Sequence, residues 1–162
     1  MRIKSFNQFM NEGRIDRRHS YANIIEIESI NEALSTSKID KIIKRVMPLI
    51  INDYGEGKRG VPPIELHRSI WHRVDAVGAE DLMGNENPDA EYDWDENRIY
   101  LYLTKQTSEE QVIRSLIHEY YHSLQSHAWY KTHKKRGKKY HNHPHEIQAK
   151  AEEENWIKYI TK

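Results

Sequence analysis

The 162-residue chain contains no cysteine. A disulfide-stapled secreted fold is thereby excluded, and so is any zinc site built on thiolates; zinc would have to be held by imidazole and carboxylate. Long apolar runs are missing too. The longest patch, near residues 46–51, is interrupted by Pro48 and falls far short of the roughly 20 residues of a membrane span. The opening MRIKSFNQFMNEGR has no apolar core of signal-peptide length and no small-residue cleavage site. These absences predict a soluble protein made in a cytoplasm, with no membrane partner. An excess of one charge is also lacking. Lys+Arg and Asp+Glu each number 25, so net charge does not point to nucleic acid.

What is present is polar. Charged residues make up 31% of the chain and mean hydropathy is -0.93, so much of the chain must be solvated around a modest core. Ile3, Phe6, Phe9 and Met10 recur at helical spacing. The polar stretch that follows makes residues 1–36 a leader or linker, and residues 37–162 a single domain. Ile39, Ile42, Ile43, Val46 and Ile50 predict a helix capped by Ser37 and ended by DYGEGKRG. PPIELHRSIW reads as a first strand, and GAEDLMGNENPDAEYDWDEN as loop-rich, with Gly, Asn, Pro and Asp clustered. RIYLYLT alternates, with Ile99, Leu101 and Leu103 on one face and Tyr100 and Tyr102 on the other, which predicts a strand.

Ser108 and Gln111 form a capping box that opens a helix fading near Ala128. Its apolar stripe is Val112, Ile113, Leu116, Ile117, Tyr120 and Leu124. KTHKKRGKKYHNHP reads as a basic loop, and a last helix is expected from Pro144 to Tyr159. The pattern predicts an α+β fold: a short twisted sheet, an active-site helix and a C-terminal helix bearing a ligand.

The chemistry concentrates in SLIHEYYHSLQSH. His118 and His122 are four residues apart and so share one helical face. Both can direct a ring nitrogen at one zinc ion, at about 2.0–2.1 Å. Glu119 lies beside them and can take the proton of an attacking water, which makes it the candidate catalytic base. A catalytic zinc takes three protein ligands and keeps one position open. Glu146 is the candidate third ligand, with His145, His143 and Glu153 as rivals. Ala149, one turn after Glu146, lets the last helix approach the metal helix closely. Glu153 can instead hold a ligand histidine's free N–H.

His118-Glu119-Tyr120-Tyr121-His122 resembles the zincin metallopeptidase signature, and the downstream glutamate resembles the gluzincin branch in a minimal form. The resemblance covers about residues 60–160. It implies zinc held by His118, His122 and Glu146, Glu119 as general base and acid, and a protein or peptide substrate. Where larger gluzincins carry an acidic residue four after the ligand glutamate, this chain has Lys150. The strand before the metal helix, 98–103, is then expected to pair with an extended substrate. Tyr140, His141 and His143 are candidate oxyanion donors.

Two further features stand apart. Lys131, Lys134, Lys135, Arg136, Lys138 and Lys139 form a basic run, expected as a solvated loop. Binding of DNA or of an acidic protein through 131–139 is the other reading, in which the domain is a non-catalytic virion or structural protein. The opening MRIKSFNQFMNE resembles the capsid-targeting leader of internal proteins of myovirus-type phages. That resemblance implies cleavage by a prohead protease after Glu12 or Glu32, and a protein located in the host cytoplasm or the virion interior.

Overall fold

A computed structural model of the protein describes residues 33–71, 73, 88–135 and 143–160. Residues 1–32 of the leader, with Glu12 and Glu32, and the basic positions 136–139 lie outside the described residues. The fold is α+β. Helix α1 (Thr36–Tyr54) leads to strand β1 (Ile64–His67), then to β2 (Ala90–Asp93) and β3 (Arg98–Tyr102). Helices α2 (Glu109–Leu124), α3 (His127–Lys135), α4 (Pro144–Glu153) and α5 (Ile157–Ile160) follow.

Helix α1 is capped by Ser35, not by Ser37. Ser35 is extended, and its hydroxyl accepts the Lys38 N–H at 3.3 Å. Ile39, Ile42, Val46, Met47 and Ile50 form its buried face. Pro48 sits inside the helix but on its exposed side, where the carbonyl it leaves unbonded can reach water. Gly55 ends the helix at φ 76°, sending its N–H to the Ile51 carbonyl at 2.8 Å. A side chain at that φ would be strained.

The sheet has the order β1-β3-β2. β1 runs parallel to β3, and β2 antiparallel, with Ala90 opposite Leu101 and Tyr92 opposite Ile99. This corrects two expectations. The stretch read as loop-rich contains β2, and β3 is the central strand. Both sides of β3 are occupied by neighbours, so it has no edge to offer a substrate peptide.

One face of the sheet presents Ile99, Leu101, Ala90 and Tyr92 to α1 and α2. Burying these with Val112, Ile113, Leu116, Ile117 and Tyr120, all 0% exposed, forms the main core; each such side chain contributes roughly 1.5–3 kcal/mol. Tyr100 and Tyr102 are both buried on the other face, with Ile70. There the Arg73 guanidinium lies 3.7 Å from the Tyr100 ring centre and pairs with Glu91 and with Asp93 at 2.8 Å. The two acidic residues that disguise β2 in the sequence are thus neutralised by one buried arginine.

Ser108 caps α2 through the Gln111 N–H at 3.1 Å. The expected box is only half present, because the Gln111 side chain donates to Asp89 at 2.5 Å. α2 ends at Leu124, earlier than expected, with Gln125 extended at ψ 165°. The chain then turns into α3, so residues 127–135 are helix where the expected loop overlaps them. Trp94 stacks on His127 and Tyr130, with ring centres 5.0 and 5.6 Å away. That contact anchors α3 to the turn between β2 and β3.

The last helix is also shorter than expected. It tightens to a 3-10 turn at Glu154–Trp156 before α5. Among the described residues, no helix is long and apolar enough to cross a membrane.

α4 lies along α2, and Ala149 is wholly buried there. Tyr54 donates to Glu152 at 2.8 Å, and Arg45 donates to the carbonyls of Tyr159 and Ile160 at 2.8 and 3.2 Å. These contacts clamp the C-terminal helices onto α1. Ala149→Leu is expected to cost about 1–3 kcal/mol by overpacking and to push Glu146 away from α2. A lower urea midpoint would be the readout; an unchanged midpoint would refute the close packing.

Candidate metal centre

Two helices build the site. The apolar stripe of α2 faces the core, and this rotation turns His118, Glu119 and His122 toward α4. Pro144 starts α4 and places Glu146 in its first turn. Because Ala149 has only a methyl group, α4 lies close enough for the Glu146 carboxylate to meet both rings.

The three donors converge. His118 Nε2 and His122 Nε2 are 3.0 Å apart. Glu146 Oε2 lies 3.3 Å from His118 Nε2, and Glu146 Oε1 lies 3.3 Å from His122 Nε2. Among the described residues these three are the only group of His and acidic side chains this tightly gathered, with donor atoms within 4.8 Å of one another. Ligand atoms about 2.1 Å from a tetrahedral ion are roughly 3.4 Å apart, so the donor set has the right scale for zinc.

The outer contacts decide which nitrogens carry hydrogen. His118 Nδ1 stands 2.7 Å from Glu153 Oε1. A carboxylate only accepts, so Nδ1 holds the proton. His122 Nδ1 is 2.8 Å from Gln125 Oε1, while Gln125 Nε2 donates to the His145 carbonyl at 3.0 Å. The amide orientation is therefore set, and His122 also carries its hydrogen on Nδ1. When both rings are neutral, their bare Nε2 lone pairs face each other and a carboxylate completes the triangle. Three lone-pair donors this close repel unless a cation or a proton lies among them, which is the arrangement a metal requires.

The electrostatics agree. Burial pulls the His118 pKa down, but hydrogen bonds to Glu146 and Glu153 and the charge of Glu119 outweigh it, pushing it up to about 10. The site thus attracts positive charge at neutral pH. Glu119 is 7% exposed. Burial pushes its carboxyl above the ordinary range, with His118 and His122 opposing. It accepts a hydrogen bond from the Tyr92 backbone N–H. The sheet register explains that donor. Tyr102 N–H donates to the Asp89 carbonyl, and alternation then turns the amides of Ala90 and Tyr92 to the outer edge of β2, toward α2.

Of the rivals for third ligand, Glu153 is on the far nitrogen of His118. His145 Nε2 lies 3.2 Å from Glu146 Oε1, and His143 Nδ1 lies 3.1 Å from His145 Nδ1. Neither belongs to the converging group. His143 is also buried; Tyr140 and His141 lie outside the described residues. Gln125 was not picked out from the sequence, although its spacing of three from His122 puts it on the same helical face.

A cleft of about 620 Å³ opens beside the centre. It is lined by Pro88, Asp89 and Ala90 at the start of β2, by Arg114 and Ser115 of α2, and by Ile147 and Lys150 of α4. His118, Glu119 and Glu146 line it as well, so Glu119 and two members of the converging group border the cleft. No known family model, curated protein or solved structure matches the chain.

Proposed function

We propose that the chain is a zinc-dependent metallopeptidase, a minimal zincin-like hydrolase acting on protein or peptide. The observation that carries this reading is the convergence of two bare imidazole nitrogens and a carboxylate, with Glu119 on the same cleft. A purely structural metal site has no need of that fourth residue beside an open cleft.

His118, His122 and Glu146 would hold the ion. When bound, zinc supplies Lewis acidity and lowers the pKa of water at the site. Glu119 takes a proton from the attacking water as its oxygen bonds to the scissile carbonyl carbon. When the carbon–nitrogen bond breaks, Glu119 passes that proton to the leaving amine. The raised pKa of Glu119 makes it a stronger base for the first half of this exchange. The outward edge of β2 offers backbone groups along which an extended peptide can lie. On this reading a substrate would lie beside β2 (Ala90–Asp93) and not beside the central strand β3.

Metal analysis of the purified full-length chain is expected to give one zinc per chain. Peptides from an unfolded test protein should be released with zinc present, should stop appearing after chelation, and should reappear when zinc is restored. A zinc-loaded protein that cleaves none of a broad peptide library would overturn the hydrolase reading. A chain that takes up no zinc would overturn the metal reading.

A further inference from the structure

The cleft lies to one side of the converging group along every element that borders it. From α2 it takes residues between Gln111 and Glu119, from the strand Pro88, Asp89 and Ala90, and from α4 residues between Glu146 and Glu153. Among the described residues its lining includes nothing from α2 after Glu119, from β2 after Ala90 or from α4 before Glu146.

The other side is filled by rings. Trp94 directly follows β2, and its ring centre lies 6.4 Å from that of His122. Tyr130 of α3 stacks on Trp94 at 5.6 Å and meets the His145 ring edge-on at 4.8 Å. Trp94 belongs to the strand bank of the cleft and His145 to the start of α4. Tyr130 therefore bridges the two banks at the His122 end. The exposure of the two histidines follows this division. The His118 side chain, on the cleft, is 17% exposed, and the His122 side chain, at the bridge, only 6%.

We propose that the Trp94–Tyr130–His145 bridge is an end stop, so that the hydrolase removes short peptides from the N-terminal end of its substrate and does not cut within a chain. This rests on the metallopeptidase reading above and names the substrate class for it: polypeptides with an exposed, unstructured N-terminus. The direction follows from the strand. β2 runs from the cleft toward Trp94. A substrate strand added antiparallel, the better-paired arrangement, runs the opposite way, with its N-terminal end at the bridge. The length follows from Glu119, which accepts the Tyr92 N–H. The reacting carbonyl then lies beside Tyr92, two residues before Trp94. At about 3.3 Å per residue, roughly 7 Å of lane remain, which is room for about two substrate residues. The rest of the substrate leaves through the open cleft.

The test uses the zinc-loaded full-length chain and a set of unstructured peptides, each in a linear form and in a form closed head to tail. Products are read by mass spectrometry. The linear forms should lose fragments of about two residues stepwise from the N-terminal end, and the cyclic forms should stay uncut. Tyr130→Ala removes the bridge and should bring internal cuts in the linear forms and opening of the cyclic ones. Tyr130→Phe keeps the ring and should keep the wild-type pattern. Should Tyr130→Ala fail to fold, the wild-type products decide the matter alone.

Wild-type cleavage of a cyclic form, stepwise loss from the C-terminal end, or an unchanged product pattern in a folded, zinc-loaded Tyr130→Ala chain would overturn the end stop and leave the hydrolase reading standing. If the zinc-loaded wild type cuts no linear peptide of the set, the hydrolase reading falls and the end stop falls with it.

Discussion

Glu119→Gln is expected to lower peptide hydrolysis by about 10²–10⁴-fold, the range for loss of a positioned general base, with zinc content unchanged. The substitution keeps size and shape in a site that is only 7% exposed. The Gln oxygen can still accept the Tyr92 N–H, so the local packing should survive. What disappears is the ability to take and return a proton. His118, His122 and Glu146 do not depend on Glu119 for their convergence, which is why metal retention and activity should separate. The readout is kcat on a cleavable peptide alongside zinc stoichiometry. A variant retaining a tenth or more of wild-type turnover would remove Glu119 from the chemistry.

Zinc uptake is expected to release about one proton per ion, and apparent zinc affinity should rise about tenfold per pH unit between pH 6 and 9. The cause is the competition at His118. Its two carboxylate partners hold a proton on the metal-free site with a pKa of about 10, and the ion must displace it. Competition titrations with a zinc indicator at several pH values would give the slope. The metal-free protein carries the linked signature. A raised histidine pKa contributes stability that is fully present below the unfolded value of about 6.5, and that is lost as pH rises through about 10. A pH-independent zinc affinity over that range would show that His118 is not protonated in the metal-free site.

The helices were easier to read from the sequence than the sheet, and the reason is physical. The stripe from Val112 to Tyr120 has the helical period and faces one continuous core, so its pattern is complete within one segment. The spacing of four between His118 and His122, and the small residue at Ala149, likewise speak through local geometry. β2 hid because Glu91 and Asp93 read as loop residues until the buried Arg73 is placed against them. The central position of β3 is a fact about two partners, and no alternation within RIYLYLT reveals it. The turn from α2 into α3 depends on Trp94 stacking across a gap of more than 30 residues.

At the site, the two histidines and the intervening glutamate could be identified from spacing alone. The choice among Glu146, His143, His145 and Glu153 could not, since it depends on which face α4 presents to α2. Glu153, two turns beyond Glu146, lies on the outer nitrogen of His118. That carboxylate comes from Glu153 and not from the position of Lys150.

The ligands come from two neighbouring helices, and His122 and Glu146 are 24 positions apart in the chain. A cation joining them would close a loop of about that length. Closing such a loop by a covalent bond removes roughly 3 kcal/mol of unfolded-chain freedom. In a chain without a single thiol, the ion would thus take on the cross-linking part that sulfur plays elsewhere, and stripping it would loosen the end of the molecule as well as silence it.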